Sequence, residues 1–272
     1  MNSGPVNGHR RRYALGAALV AVPLLLALLG PLAAGPAGPR GVSFTPGAGH
    51  WLGTDFTGRD AWRQVLLGGR SVAVVALAAT GLTYAVAVPL GLSAALTRRR
   101  WLEESLMRPL DGLSAVPSLV LVLVVASAAA PGPAALSLLV AAVAVPDAAR
   151  VVQAAAVEVA ARPAVEAMRM QGETWVRVAL GYTVRSLRRT LAADAGTRLV
   201  GALHLVGTAA FLGVGVQPDA ADWAVMVDRN RPGLALQPLA VVVPAALIAA
   251  LSTGTGLLLD AALQRGHRKD SR

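Results

Sequence analysis

"VAVVALAATGLTYAVAVPLGLSAAL", residues 72–96, runs for twenty-five residues without one charged side chain. Roughly 20 predominantly apolar residues cover the hydrocarbon layer of a bilayer when wound as a helix. A helix is the default there, because it closes its own backbone hydrogen bonds where lipid offers none. Five further predominantly apolar runs, three of them carrying one or two charges, lie at residues 14–34, 110–130, 134–152, 191–214 and 236–259. With 55% hydrophobic and 15% charged residues among 272, the chain has more apolar surface than a water-soluble domain can hide. The fold expected is an all-α integral membrane protein with six transmembrane helices.

The net charge of +10 raises the question of nucleic acid, but its distribution answers differently. With both termini placed in the cytoplasm, eighteen basic residues fall inside, in clusters such as Arg10 to Arg12, Arg98 to Arg100 and Arg185 to Arg189, against six outside. That is the positive-inside bias of a membrane protein, so the partner expected is lipid and no nucleic acid. A competing reading takes "HRRR" plus the first apolar run and "LAAGPAG" as a cleaved leader. The run is long for a leader, and an even number of spans keeps the charge bias consistent, which favours a retained helix.

The chain divides into residues 1–70 (tail, first span and a Gly/Pro-rich extracytoplasmic loop), a core at 71–264, and a tail at 265–272. "AAPGPAA" is a tight outer turn, and the longest cytoplasmic segment is about 151–190. Within it, Glu158 and Arg162, Arg162 and Glu166, and Glu173 and Arg177 stand four apart, the spacing at which opposite charges meet on a helix. Pro163 should divide a first short helix from a second, and Gly172 should end the second, with another helix beginning near Glu173.

Several chemistries drop out. There is no cysteine, so thiolate sites and disulfides are excluded. The only lysine is Lys269, so no phosphate-binding Walker loop can be built, and no nucleotide or other cofactor site is expected. His9, His50, His204 and His267 show no metal-ligand pairing, and no G-x-S-x-G nucleophile motif occurs. Ionisable groups inside spans are functional candidates because they are costly in hydrocarbon. Asp194 and Arg198, four apart, read as a neutralising pair. His204 reads either as a packing histidine or as a side chain on a translocation path. Asp111, Asp147 and Asp260 read as span-end residues within reach of water.

At "VEAMRMQG" the sequence resembles the cytoplasmic E-A-A-x-x-x-G loop of permease subunits of binding-protein-dependent ABC importers, with Glu166, Ala167 and Gly172 in register and Met168 in place of the second alanine. "HWLGTDFTGRD" resembles the segment before the second span in the dipeptide, oligopeptide and nickel subfamily, at His50, Leu52, Gly53, Thr54, Asp55, Gly58, Arg59 and Asp60. "VPLGLSAAL", "LMRPLDGLSAVPSLVLVLV" and "FLGVGVQPDAADWAVMV" resemble it too, the last through Phe211, Leu212, Gly213, Gly215, Gln217, Pro218 and Trp223. The likeness covers nearly the whole chain in order and is greatest to the second permease type.

The resemblance implies a type I ABC importer-like permease core of five helices plus one N-terminal peripheral helix, in a bacterial inner membrane. It implies a second permease subunit as heterodimer partner, two cytoplasmic ATPase subunits and an extracytoplasmic solute-binding protein, with peptides or nickel as cargo. It makes Glu166, Ala167, Met170 and Gly172 the ATPase-coupling loop, with Met170 and Trp175 as apolar contacts of the kind interfaces favour. Two departures stand out. Tyr182, Thr183, Val184, Arg185 and Ser186 occupy a histidine-isoleucine-leucine-proline-asparagine run, so a proline hinge is absent, and Val206 occupies a usually acidic position. The rival reading is a membrane scaffold that keeps the permease fold and transports nothing.

Overall fold

The computed structural model describes residues 5–47, 49–129, 132–217 and 219–270. Ala130 and Pro131 of the expected outer turn, Pro218 of the last motif, and the side chains of Arg10, Arg12, His9, Arg265, His267, Arg268, Lys269 and Arg272 lie outside what is described. The helices are α1 (Pro5–Ala33), α2 (Ala61–Leu96), α3 (Arg100–Ser114), α4 (Ser118–Ala129), α5 (Pro133–Ala160), α6 (Pro163–Met170), α7 (Arg185–Phe211), α8 (Trp223–Asn230) and α9 (Leu239–Asp270). A π-helical stretch, Arg177–Val184, leads directly into α7. Among the described residues the only β feature is an isolated antiparallel bridge between Thr54 and Asp60.

Helix α2 is the centre of the bundle. It packs chiefly on α5, and also on α1 and α7, while α1 lies against α9. Small residues set these approaches, as close packing in lipid requires. A Cβ on Gly91 would stand 2.7 Å from the Ala149 carbonyl and from Val152 Cβ, and one on Gly254 would stand 2.8 Å from Leu19 Cβ. Val72, Val75, Val140, Leu136 and Val206 fill the middle of the bundle.

Among the described residues four helices have the length and apolarity to cross a bilayer: 13–33 within α1, Ala61–Leu96, Pro133–Ala160 and 239–261 within α9. The expected span at 110–130 is corrected. It is not one helix, since α3 and α4 meet at 82°; together the pair is apolar enough to cross as a broken span or to enter and return as a re-entrant loop. Pro117 lacks an N–H and disfavours helical backbone at Val116, so the chain breaks between Ser114 and Ser118. Helix α3 is polar on one side, with Glu104 paired to Arg100 at 3.3 Å and to Arg108 at 2.7 Å. The expected span at 191–214 falls on α7, a 27-residue helix long enough to cross but lowered in hydropathy by Asp194, Arg198 and His204.

The Gly/Pro-rich loop before α2 is tightly tied, and the quoted motif residues tie it. Asp55 Oδ1 accepts from the Thr57 amide and hydroxyl, both at 2.8 Å, and from the Arg59 amide at 2.9 Å. Thr54 donates its hydroxyl to the Val42 carbonyl at 2.6 Å, and its own amide reaches the Thr45 carbonyl at 3.1 Å. Gly58 sits at φ +75° with its Cα against the Gly41 backbone, where a side chain has no room. Asp60 then caps α2 by accepting from the Trp62 amide at 2.9 Å. Gln237 bonds the Leu52 carbonyl, and the Phe56 amide donates to Asn230 at 2.8 Å, fastening the loop to the α8–α9 region.

Candidate functional site

The charged segment folds as a helix, a turn and a second helix. Pro163 begins α6 with the φ that a first turn favours, and Gly172 ends it at φ +77°. The Glu173 amide returns to the Met168 carbonyl at 3.0 Å and the Gly172 amide to the Arg169 carbonyl at 3.1 Å, the paired closure of a Schellman motif. Of the three expected ion pairs only Glu173–Arg177 forms, at 3.0 Å; among the described residues Glu158, Arg162 and Glu166 have none. Arg169 instead donates to the Leu96 carbonyl at 2.9 Å, one of the unpaired carbonyls at the end of α2.

This turn has an apolar underside and an open tip. Val165 and Val178 are buried against Leu92, Leu96, Val152 and Val159, the ends of α2 and α5. On the other side Met170 is 80% exposed, and Trp175 and Val176 are about half exposed. Glu166 is exposed, Ala167 is half-buried, and no atom lies within 4 Å of where a Gly172 Cβ would stand. The four residues expected to form the coupling loop therefore share one projecting element, fastened to two spans by buried valines. The following π-helical stretch is wider than an α-helix, and the buried Thr183 hydroxyl donates to the Val178 carbonyl five residues back, at 3.0 Å. Such stretches are rare and concentrate at functional positions. It ends at Val184, directly before Arg185, the position at which the resemblance would place a proline.

Within the spans the structure assembles a network that the sequence reading saw only in part. The expected Asp194–Arg198 pair forms at 3.5 Å. Tyr84 of α2 donates a short hydrogen bond to Asp194, and Arg198 also reaches Asp147 of α5 at 3.4 Å. Ser114, at the end of α3, donates to Asp147 at 3.1 Å. Asp147 lies midway along the 28-residue α5, which continues past the expected end of that span, and its side chain is more than half exposed. Asp111 is likewise engaged, in a two-pronged pair with Arg150, whose neighbour Gln153 bonds Glu103 at 2.7 Å. One polar seam thus joins α2, α7, α5 and α3. Tyr84 and Ser114 carried no charge signal in the sequence, so hydropathy passed over them. His204 is exposed on α7 of this chain, with no hydrogen bond or ion pair among the described residues.

At the other end of the bundle, fully buried Trp223 donates its indole N–H to the Val65 carbonyl at 2.8 Å, seated over Gly68 and Gly69. Asp222 caps α8 through the Ala224 and Val225 amides at 2.9 and 3.3 Å. Burial pushes its carboxyl above the ordinary range, and the capped amides oppose that only in part. A concavity of about 660 Å3 opens beside it, lined by Ser71, Ser127, Gly132, Gly213, Gly215 and Gln217 among others. No group of three or more metal-ligating side chains occurs among the described residues.

Helices long and apolar enough to cross a membrane, joined by a polar seam and carrying an exposed helix-turn-helix, fit a transport permease. The sequence profile described as "Binding-protein-dependent transport system inner membrane component" matches residues 87–268, and the chain belongs to that family. It is 29% identical over 252 residues to the probable peptide ABC transporter permease y4tQ of Sinorhizobium fredii, covering 90% of this chain and 85% of that one. It is 29% identical over 216 residues to the probable D,D-dipeptide transport system permease DdpC of Escherichia coli, covering 79% and 72%. A chain of the MetNI methionine ABC transporter, solved in inward-facing conformations, superposes with a TM-score of 0.51 at 14% identity, over 71% of this chain and 93% of that chain. At that identity the likeness is one of fold, the ABC importer permease fold.

Proposed function

We propose that this chain forms half of the translocation pathway of an ATP-driven peptide importer. It pairs with a second permease, two cytoplasmic ATPases take hold of the Glu166–Gly172 turn, and an external solute-binding protein delivers cargo. The names of its relatives support peptides rather than nickel as cargo. The observation that carries the coupling role is the exposed tip of Met170 and Gly172 standing on buried Val165 and Val178. A pull or push on that tip is passed to α2 and α5 through packed side chains. ATP-driven closure of the ATPases then biases two arrangements of the spans. Both termini lie in the cytoplasm, as the arginine distribution favours. Residues 1–70 serve as the peripheral helix and outer loop, 71–264 as the permease core with its coupling loop at 151–190, and 265–272 as a tail. His204 and the Asp147 seam line the path.

The test is uptake of labelled di- to hexapeptides by the native host with and without this chain. Loss of uptake, restored by the wild-type chain, supports import. Unchanged uptake of every peptide, with the chain inserted normally, would favour the scaffold reading instead.

A further inference from the structure

A cavity of about 560 Å3 opens at the start of α2, the end of that helix opposite the coupling turn. Its polar lining is Arg40, His50, Arg59, Asp60, Arg63 and Gln64. Half of these are already engaged. Arg59 donates to the Asp219 carbonyl at 2.8 Å and lies 3.6 Å from the Asp219 carboxylate, while Asp60 accepts from the Trp62 amide and lies 3.4 Å from His50. Two cations remain open. Arg63 uses only its Nε, on the Gly35 carbonyl at 3.3 Å, and Arg40 has no hydrogen bond or ion pair among the described residues. Gln64 is the third open group. It is 5% exposed, it lines the cavity, and its carboxamide has no hydrogen bond among the described residues.

A buried carboxamide left without partners costs free energy until something supplies them. Arg63 adds to the demand, because it stands in the first turn of α2, where the helix dipole disfavours a cation and the turn itself holds no acidic residue. One kind of ligand relieves both. A carboxylate takes the guanidinium donors of Arg40 and Arg63, and a peptide bond next to it takes the donor and the acceptor of the Gln64 carboxamide. Ala34, Pro39 and Leu67 give the cavity an apolar wall for a small side chain, and its volume is that of a small-molecule site.

We infer that this cavity binds the C-terminal carboxylate of a short peptide, with Arg40 and Arg63 on the carboxylate and Gln64 on the last peptide bond. The choice of a peptide rests on the importer reading above; the demand for a carboxylate rests on the cavity alone.

The test is isothermal titration of the full chain in detergent, at low salt, with trialanine, its C-terminal amide and acetate. Trialanine should bind at least tenfold more tightly than either of the others. Gln64→Glu keeps the shape and sets a carboxylate against the ligand's own, so it should weaken trialanine tenfold or more while retaining the amide. Arg40→Gln, at an exposed position that leaves folding intact, should weaken trialanine roughly tenfold. Arg229→Gln/Arg231→Gln, which removes more charge at the same end of the bundle, should leave it unchanged. Equal binding of trialanine and its amide, or trialanine binding untouched in both cavity variants, would overturn the inference. Acetate held as tightly as trialanine would make this a bare anion site, and displacement of trialanine by phosphatidylglycerol would give it to lipid headgroups; either result overturns the peptide site. If trialanine fails to bind while peptide uptake depends on this chain, the site falls and the importer reading stands; trialanine bound with the stated preference, and no peptide taken up, gives the reverse.

Discussion

Gly172 allows backbone strain and steric bulk to be separated at the coupling turn. At φ +77° any residue with a Cβ loses roughly 1–2 kcal/mol locally, whereas Asn adopts this conformation with less strain. No atom lies within 4 Å of the added Cβ, so the chain itself does not resist a larger side chain. Gly172→Asn, Gly172→Ala and Gly172→Arg should therefore all insert in the membrane. The last two should melt within about 2–8 °C of wild type in detergent, from about 2–4 °C per kcal/mol for a chain of this size. Co-purification of ATPase subunits should be near wild type for Asn, reduced for Ala and lost for Arg, because only the arginine places a long side chain where a partner's surface must approach. Equal recovery of ATPase with wild type and Gly172→Arg would refute the assignment of this turn as a docking element.

Other consequences are as direct. Asp222→Asn keeps the α8 cap and removes a charge that burial disfavours, so it should match or exceed wild type in thermal stability at neutral pH, while Asp222→Ala loses about 1 kcal/mol of capping. Because the folded carboxyl titrates above its unfolded value, wild type gains stability as pH falls through the window just above the ordinary carboxylate range; the Asn variant lacks that gain, which thermal melts across pH will read. Gly91→Leu drives a side chain into Ala149 and Val152 and should cost about 1–3 kcal/mol, seen as a lowered melting temperature. Arg198→Leu leaves Asp194 and Asp147 without their shared cation and should cost on the order of 3 kcal/mol, recovered in part when Asp194→Asn is added.

The spans were legible where a run is uniformly apolar, because crossing lipid depends on length and composition alone. Pro163 was legible because it fixes its own φ, and Gly172 because it takes a positive φ without strain, and the structure places both helix boundaries accordingly. The break between α3 and α4 was hidden by averaging: residues 110–130 are predominantly apolar with one charged residue, Asp111, and Pro117 was the signal of the break. The π-helical stretch had no signature, since its wider turn depends on how Val178 and Thr183 are buried. The polar seam was half visible. Asp194 and Arg198 sit on one helix and follow from spacing, but Tyr84, Ser114 and Asp147 come from three others, and only packing brings them together.

The absence of cysteine makes the decisive measurement simple, because a single introduced thiol is unique in the chain. Met170→Cys, exposed at the tip of the turn, should react with an impermeant thiol reagent only from the cytoplasmic face and cross-link in native membranes to a nucleotide-hydrolysing subunit, with a yield that changes when ATP is added. Labelling from the outer face, or a thiol that is accessible yet never cross-links to such a subunit, would contradict the account.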